Sequence, residues 1–241
     1  YFFASTVLRE TPVIESNKDS YTPQYSPDGK EVAFIEDRQT LKVYNIASKN
    51  VRTILTNNDL FAMTENDQYF TWSPDSKWLL FQFSEPGYWN GEIGIVPADG
   101  KGKKINLTES GYQDFAPKWM MGGKMLIWNS NREGLRAQAN SGGAQSDVFA
   151  LFLTQDAYDK FRLNKEEYAL WKEADEKAAK ADSAKKKGDK KEPVAIDWEG
   201  LKYRKARLTL HSSSLADALV SKDGETLYYL ARFEKGYNLW S

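Results

Sequence analysis

Few residues of this chain could carry out nucleophilic or acid–base chemistry. His211 is the only histidine, and three serines, Ser212–Ser214, follow it. A serine beside a histidine could belong to a catalytic triad, but no nucleophile-elbow pattern surrounds these serines. The absence of cysteine excludes disulfides, cysteine zinc sites and a thiol nucleophile. We therefore expect His211 to be a polar loop residue, the chain to have no catalytic site of its own, and no cofactor to be bound.

Three aspartates recur in the same local pattern and could be metal ligands or catalytic acids. Asp28 and Asp223 each precede a glycine, and Asp75 precedes Ser76. Proline, aspartate and glycine at successive positions are typical of a tight turn, which explains the aspartates without a site. The third copy of the pattern has Gly122 at this position, so no ring of identical carboxylates exists. We interpret these residues as turn residues.

The aspartates belong to a repeat, and the repeat predicts the fold. Its first three copies begin 47 residues apart. The four copies are Tyr25–Phe34, Trp72–Phe81, Trp119–Trp128 and Val220–Tyr229. Each copy places a turn between two strand-like runs, and further strand patterns follow the first. A repeat of this length with four strands predicts an all-β fold, a β-propeller of four-stranded antiparallel blades.

The repeat also predicts the organisation of the chain. We expect a part-blade over 1–14, blades over 15–67, 68–114 and 115–215, and a second part-blade over 216–241. The second blade should follow a longer inter-blade loop around 57–67. The chain begins and ends within strand patterns, so we expect a segment of a longer protein. Its two open blade faces would then favour self-association of the isolated segment.

The third blade should contain a charged helical insertion over 129–195. Residues 129–146 lack periodicity and predict a long loop, and a strand is expected over Asp147–Leu153. Asn164 and Glu167 have the spacing of a capping box, which predicts a helix beginning there. Apolar residues at helical spacing should face the body of the protein: Tyr168, Trp171, Ala174, Ala178 and Ala181.

A lysine-rich run, 185–191, follows this helix. It could be a docking site for an acidic partner or a solvated linker. We favour the linker, because the preceding helix carries nearly as many acidic residues as basic ones.

Two loops are candidate contact surfaces for substrates or partners. Tyr88 and Trp89 place two large aromatic rings in one turn, where such rings commonly form interfaces. Packing between blades is an equal alternative for them. Arg132 and Arg136 lie in the predicted long loop, which could reach over one mouth of the central channel.

Composition limits the classes of partner. A net charge of −1 gives no electrostatic support for binding nucleic acid. No apolar run approaches the length of a membrane span, so membrane insertion is not expected.

The repeat resembles that of TolB-like and tricorn-type propellers, which share its aromatic-Ser-Pro-Asp-Gly-Lys strand start. Gly91–Val96 with Gly102–Thr108 is similar to blades of tricorn protease homologues from Bacteroides-like bacteria. The block Gln155–Leu163, followed by Lys165–Tyr168 and a lysine-rich helix, is similar to the same homologues and is the more specific match. The resemblance covers essentially the whole chain.

This resemblance implies part of a large extracytoplasmic, periplasmic serine peptidase. The propeller would gate or guide peptide or unfolded-protein substrates to a catalytic core outside this chain, and its partners would include the PDZ and catalytic domains of the parent protein. None of the family's catalytic residues matches a position here, and a homo-oligomer is an open possibility. The alternative is a TolB-like scaffold that binds protein partners and belongs to no peptidase. A propeller hydrolase with its own metal site is a third, weaker alternative.

Overall fold

The computed structural model describes residues 10–61, 68–85, 90–137, 143–182 and 192–241. The strands in these ranges form four antiparallel sheets in chain order. The first contains β1 (Ser20–Tyr25), β2 (Glu31–Glu36), β3 (Thr40–Asn45) and β4 (Val51–Leu55). The second contains β5 (Phe70–Trp72), β6 (Trp78–Phe83), β7 (Glu92–Pro97) and β8 (Ile105–Asn106).

The third sheet is interrupted by helices, and the fourth has three strands in the described part of the chain. The third contains β9 (Asp114–Met120), β10 (Met125–Ser130), β11 (Asp147–Phe152) and β12 (Lys205–Arg207). The fourth contains β13 (Ser214–Val220), β14 (Leu227–Arg232) and β15 (Asn238–Trp240). In each sheet every strand pairs with its neighbours in sequence, so the predicted all-β propeller fold is confirmed.

The repeated turns join the first and second strands of the sheets, as the turn chemistry predicts. The amide of Gly29 donates to the Ser26 carbonyl at 2.8 Å, and Gly29 has a φ of +73°. The Asp28 carboxylate accepts the Ser26 hydroxyl at 2.6 Å and the Lys30 amide at 3.2 Å. Asp75 and Asp223 accept the same two kinds of donor. These aspartates are therefore turn residues.

The antiparallel register gives the sheets two distinct ends. The upper end is where the first strand of each sheet begins; loops between second and third strands, and connections between sheets, lie there. The lower end carries the repeated turns and the connections between third and fourth strands. This follows from pairs such as Ser130 with both Asp114 and Asp147, which bring the ends of three strands together.

Three hydrophobic cores hold adjacent sheets together. One joins the first and second sheets around Leu41 and Phe81, which are at most 1% exposed. A second joins the second and third sheets around Leu80 and Leu126, and a third joins the last two sheets around Ala218. Each fully buried leucine or phenylalanine contributes about 1.5–3 kcal/mol through removal of apolar surface from water.

One face of the fourth sheet remains in water. Leu219 pairs with Tyr228 and Leu230 pairs with Leu239, so these side chains share a face. All four are at least 39% exposed. Such a face is where a further blade would pack in a propeller. Self-association of the isolated segment stays a prediction.

Helices α1 (Gln155–Arg162) and α2 (Lys165–Asp182) lie between β11 and β12 at the lower end. The Asn164 side chain accepts the Glu167 amide at 2.9 Å, and Glu167 accepts the Asn164 amide at 3.0 Å. The predicted capping box is therefore present. None of the helices in the described ranges has the length and apolarity needed to cross a membrane.

Several expectations about local structure were wrong. β10 continues through Asn129 and Ser130, because both pair with strands on either side, so the long loop begins at residue 131. Helix α1 was not expected; the Thr154 hydroxyl caps it by accepting the Ala157 amide at 3.2 Å. Ala174 is exposed, so the stripe on α2 does not face the body there. Residues 10–14 of the expected part-blade form no strand, and its remaining residues lie outside the described ranges, so the part-blade stays a prediction.

Candidate functional site

The two loops that the sequence singled out meet at the upper end, and Gln113 joins them. Its side-chain oxygen accepts the Gly91 amide at 3.0 Å. Its backbone amide donates to the Asn131 side chain at 3.0 Å, and the Asn131 amide donates to its carbonyl at 3.2 Å. Residues 90–91, 107–113 and 131–137 therefore form one connected surface, the upper loop cluster.

Arg132 and Arg136 lie on the same aromatic ring. Their guanidinium carbons are 5.4 Å and 4.7 Å from the centre of the Tyr112 ring, and Arg132 is also 5.7 Å from that of Phe149. Among the described residues neither arginine has a carboxylate partner within ion-pair distance. A contact between a guanidinium group and a ring face does not use the guanidinium N–H groups. The N–H groups of Arg132 and Arg136 therefore stay available as donors to a ligand.

Tyr112 was missed by the sequence analysis. It lies in the connection between the second and third sheets, 20 and 24 residues before the two arginines. Only the pairing of β9 with β10 brings it beside them, and nothing in the local pattern indicates this contact.

Tyr88 and Trp89, the other predicted contact residues, lie outside the described residues, as does the lysine run 185–191. The residue that follows them is tied to the upper loop cluster: Asn90 donates from its side chain to the Gly111 carbonyl at 2.8 Å. Their contact role stays a prediction.

Charged side chains beneath the upper loop cluster keep it in place. The buried Glu92 carboxylate accepts the Thr108 hydroxyl, the Ser110 amide at 3.1 Å and the Gly111 amide at 2.9 Å. Lys205 donates to the Thr108 carbonyl at 2.9 Å. Burial, and then the nearby Arg132 charge, lower the pKa of Lys205. The loop therefore rests on a fixed polar base, which limits its movement.

Asp114 begins β9 directly under this cluster and is 1% exposed. It accepts the Ser110 hydroxyl at 2.5 Å and the Trp128 indole N–H at 3.1 Å. Burial raises the pKa of Asp114, since the loss of water outweighs these hydrogen bonds. Its charged form is thus disfavoured in the folded chain.

We expect Asp114→Asn to weaken the pH dependence of stability. The raised pKa means that the folded chain binds more protons than the unfolded chain above the ordinary value of 3.8. The contribution of Asp114 to stability is therefore complete below that pH and is lost as pH rises through the folded-state pKa. An asparagine has no such loss. Urea unfolding from about pH 4 to about pH 7 should show a smaller fall in the free energy of unfolding for the variant.

The exposed Glu234, which accepts no hydrogen bond from the described residues, provides the control for this measurement. Glu234→Gln should show the same fall as the unmodified chain. If the free energy of unfolding changed with pH equally in Asp114→Asn and in the unmodified chain, folding would not disfavour the charged form of Asp114.

His211 and the following serines do not form a catalytic arrangement. His211 is exposed and makes no hydrogen bond to the described residues. The Ser212 hydroxyl donates to the buried Asp147 at 2.7 Å and accepts from Arg207 at 3.2 Å. Within the described ranges, no group of three or more histidine, aspartate or glutamate residues could hold a metal ion. Among the described residues His211 therefore has no serine partner that it could activate as a general base.

Comparison with known proteins identifies two tricorn relatives. The chain is 33% identical over 107 residues to a tricorn protease homologue of Saccharolobus solfataricus, which is 44% of this chain and 9% of that protein. It is 29% identical over 107 residues to a protein of Sulfurisphaera tokodaii named "Putative Tricorn-like protease C-terminal subunit". The matched residues are 12% of that protein. The matched part is thus about a tenth of these curated relatives. No family model matches the chain.

Solved structures agree in fold. The tricorn protease crystal structure superposes with a TM-score of 0.59 at 15% identity, covering 92% of this chain and 20% of that one. This chain is similar in fold to the tricorn propeller. TolB from Acinetobacter baumannii superposes with a TM-score of 0.51 at 17% identity, covering 94% of the segment and 41% of that chain. At these identities both structures give evidence about the fold of this chain and nothing further.

Proposed function

We propose that this tricorn-like segment guides peptide or unfolded-protein substrates to a serine peptidase core outside the chain. Similarity to tricorn proteases supports the connection with a peptidase. The observation that carries the guiding role is the pair Arg132 and Arg136 on the Tyr112 ring. Their guanidinium groups have no ion-pair partner within the described part of the chain. Guanidinium groups bind carboxylates and carbonyl oxygens, which every peptide has.

Contacts between exposed arginines and a peptide are weak enough for a guiding role. Exposed charge pairs contribute about 0.2–1 kcal/mol each, so a few of them hold a peptide briefly and release it. We place cleavage in the catalytic core of the parent protein, which fits the lack of a serine partner for His211 among the described residues. Its PDZ and catalytic domains are the proposed partners, and an extracytoplasmic, periplasmic location is part of the same proposal.

Peptide binding tests the role of the two arginines. We expect the double variant Arg132→Gln/Arg136→Gln to bind a labelled, unfolded peptide with two glutamates about five- to tenfold more weakly at low salt. Fluorescence anisotropy measures this affinity directly. The segment alone should leave the peptide uncleaved.

Arg162 and Arg232 supply a matched control, since each also lies over a tyrosine ring, at 5.6 Å and 5.4 Å. Arg162→Gln/Arg232→Gln should bind the peptide as the unmodified segment does. Equal loss in both double variants would mean that peptides respond to total charge and not to the upper loop cluster. Absence of peptide binding would favour the alternative of a TolB-like scaffold for protein partners.

A further inference from the structure

Two adjoining cavities lie beneath helices α1 and α2, at the end opposite the upper loop cluster. Their volumes are about 450 Å³ and about 720 Å³. Both are lined by Met121 and Phe152 of the third sheet and by Ala157, Lys160 and Leu163 of the helical segment. We call the combined space the lower hollow.

The walls of the lower hollow are held in place on three sides. The Val194 amide donates to Asp75 at 2.8 Å, which fixes the segment that returns from the helices. The Asp197 carboxylate accepts the first amide of α1, that of Gln155, at 2.8 Å. Glu225 of the fourth sheet's turn accepts from Tyr168 and Lys172 of α2, at 2.9 Å and 2.8 Å. The space therefore exists before any partner arrives, which lowers the entropic cost of binding.

The apolar lining of the lower hollow is incompletely covered. No residue of α1 is buried, although its aromatic side chains lie against the third sheet. Phe161 is 46% exposed while its ring centre is 4.6 Å from that of Phe152. Leu163 and Trp171 are half-buried. A contiguous apolar surface left partly in water indicates a place where another apolar group binds.

The charges around the larger cavity favour a basic partner. Four acidic residues and two lysines line it. The acidic residues are Asp156, Asp159, Asp175 and Glu192, and the lysines are Lys124 and Lys160. None of the four acids has an ion-pair partner among the described residues. Because acids exceed lysines among the described lining residues, these residues attract a cationic segment and repel an anionic one.

The wall itself shows how a cation is accommodated. Lys160 places its ammonium group 3.7 Å from the centre of the Trp171 ring, and Tyr168 stacks against that ring at 5.8 Å. An ammonium group on an indole face is a favourable contact. Because Lys160 already occupies this aromatic face, a partner's cationic groups would meet the carboxylates of the wall, and the aromatic pair contributes apolar surface.

We propose that the lower hollow is a docking site for a basic peptide segment in which lysine or arginine flanks a bulky apolar side chain. The apolar group enters the space over Met121 and Phe152, and the cationic groups meet Asp156 and Asp175. This site is separate from the upper loop cluster, so it stands independently of the proposed guidance of substrates.

Binding of short labelled peptides to the intact segment tests the proposal. The probe is a hexapeptide with a phenylalanine between two lysines. Two matched peptides replace the lysines by glutamates or the phenylalanine by serine. We expect measurable binding of the probe alone, weakened about fivefold by Asp156→Asn/Asp175→Asn and to a similar degree by Phe161→Ser. Added salt should weaken binding further.

Glu10→Gln/Glu234→Gln is the control, because both carboxylates are exposed and lie outside the lining of the hollow. It should leave the affinity unchanged, and circular dichroism should confirm that each variant is folded. Equal binding of the three peptides, or unchanged affinity in the charge variant, would overturn the proposal. An absence of probe binding would also overturn the proposal. If sedimentation then shows a dimer that the charge variant dissociates, the occupant of the lower hollow is a second copy of the chain.

Discussion

Replacing Arg204 by methionine is expected to lower the free energy of unfolding of this chain by about 3 kcal/mol. Arg204 is 2% exposed, and its guanidinium group donates only to backbone carbonyls. The acceptors are Phe152 at 3.1 Å, Glu199 at 2.9 Å, Leu153 at 3.3 Å, and Asp197. Methionine fills similar apolar volume but leaves these carbonyls without their donor. It also avoids the cost of burying a charge, so the loss stays below the sum of four charged hydrogen bonds.

Urea unfolding followed by tryptophan fluorescence measures this loss. Arg204→Lys keeps the charge but not the planar fork of donors, so its loss in free energy of unfolding should be about half that of Arg204→Met. It provides a folded reference if the methionine variant is too unstable to measure. Lys222→Met, at an exposed lysine without a partner among the described residues, should change stability by less than about 0.5 kcal/mol. A change below about 1 kcal/mol in Arg204→Met would mean that water can replace the guanidinium group.

Asp147→Ala is expected to cost about 3 kcal/mol. Asp147 is fully buried and accepts the Thr209 hydroxyl at 2.7 Å, the Ser212 hydroxyl at 2.7 Å and the Arg207 guanidinium group at 2.8 Å. The alanine leaves the buried Thr209 hydroxyl without an acceptor. Arg207 is 33% exposed on its side chain and can turn to water, which keeps the loss at the lower end for a broken buried ion pair.

The same unfolding measurement applies to two further variants. Asp147→Asn retains one acceptor oxygen, so its loss should be about half that of the alanine variant. Glu234→Ala removes an exposed carboxylate without a hydrogen-bond partner among the described residues and should be near neutral. Equal stability of Asp147→Ala and the unmodified chain would show that the hydroxyls and Arg207 find other partners.

Asp147 also explains why a threonine follows a leucine in two of the connections between sheets. Thr108 and Thr209 each follow a leucine in the connection to the next sheet. The hydroxyl of each donates to a carboxylate at the start of the third strand in its own sheet, Glu92 and Asp147. The second and third sheets thus share a buried hydrogen bond at this position, whereas Thr56 of the first sheet donates to Asp59. Sequence spacing shows the threonine but not its acceptor.

The sequence by itself determined the features that depend on residues close together in the chain. Pro27, Asp28 and Gly29 form the predicted turn because its hydrogen bonds join residues at most five apart. The capping box of Asn164 and Glu167 is local in the same way. Repetition of these local signals every 47 residues was enough to predict a propeller and its strands. The missing cysteines and the single histidine likewise limited the chemistry without any structure.

Only the tertiary structure decided which distant residues meet. Tyr112 contacts Arg132 and Arg136 because β9 and β10 pair, and Arg204 reaches Phe152 because β11 and β12 pair across the two helices. The lower hollow combines residues from the third sheet, both helices and the fourth sheet's turn. Such contacts depend on how sheets and insertions pack in three dimensions, and neither spacing nor residue type encodes that packing locally.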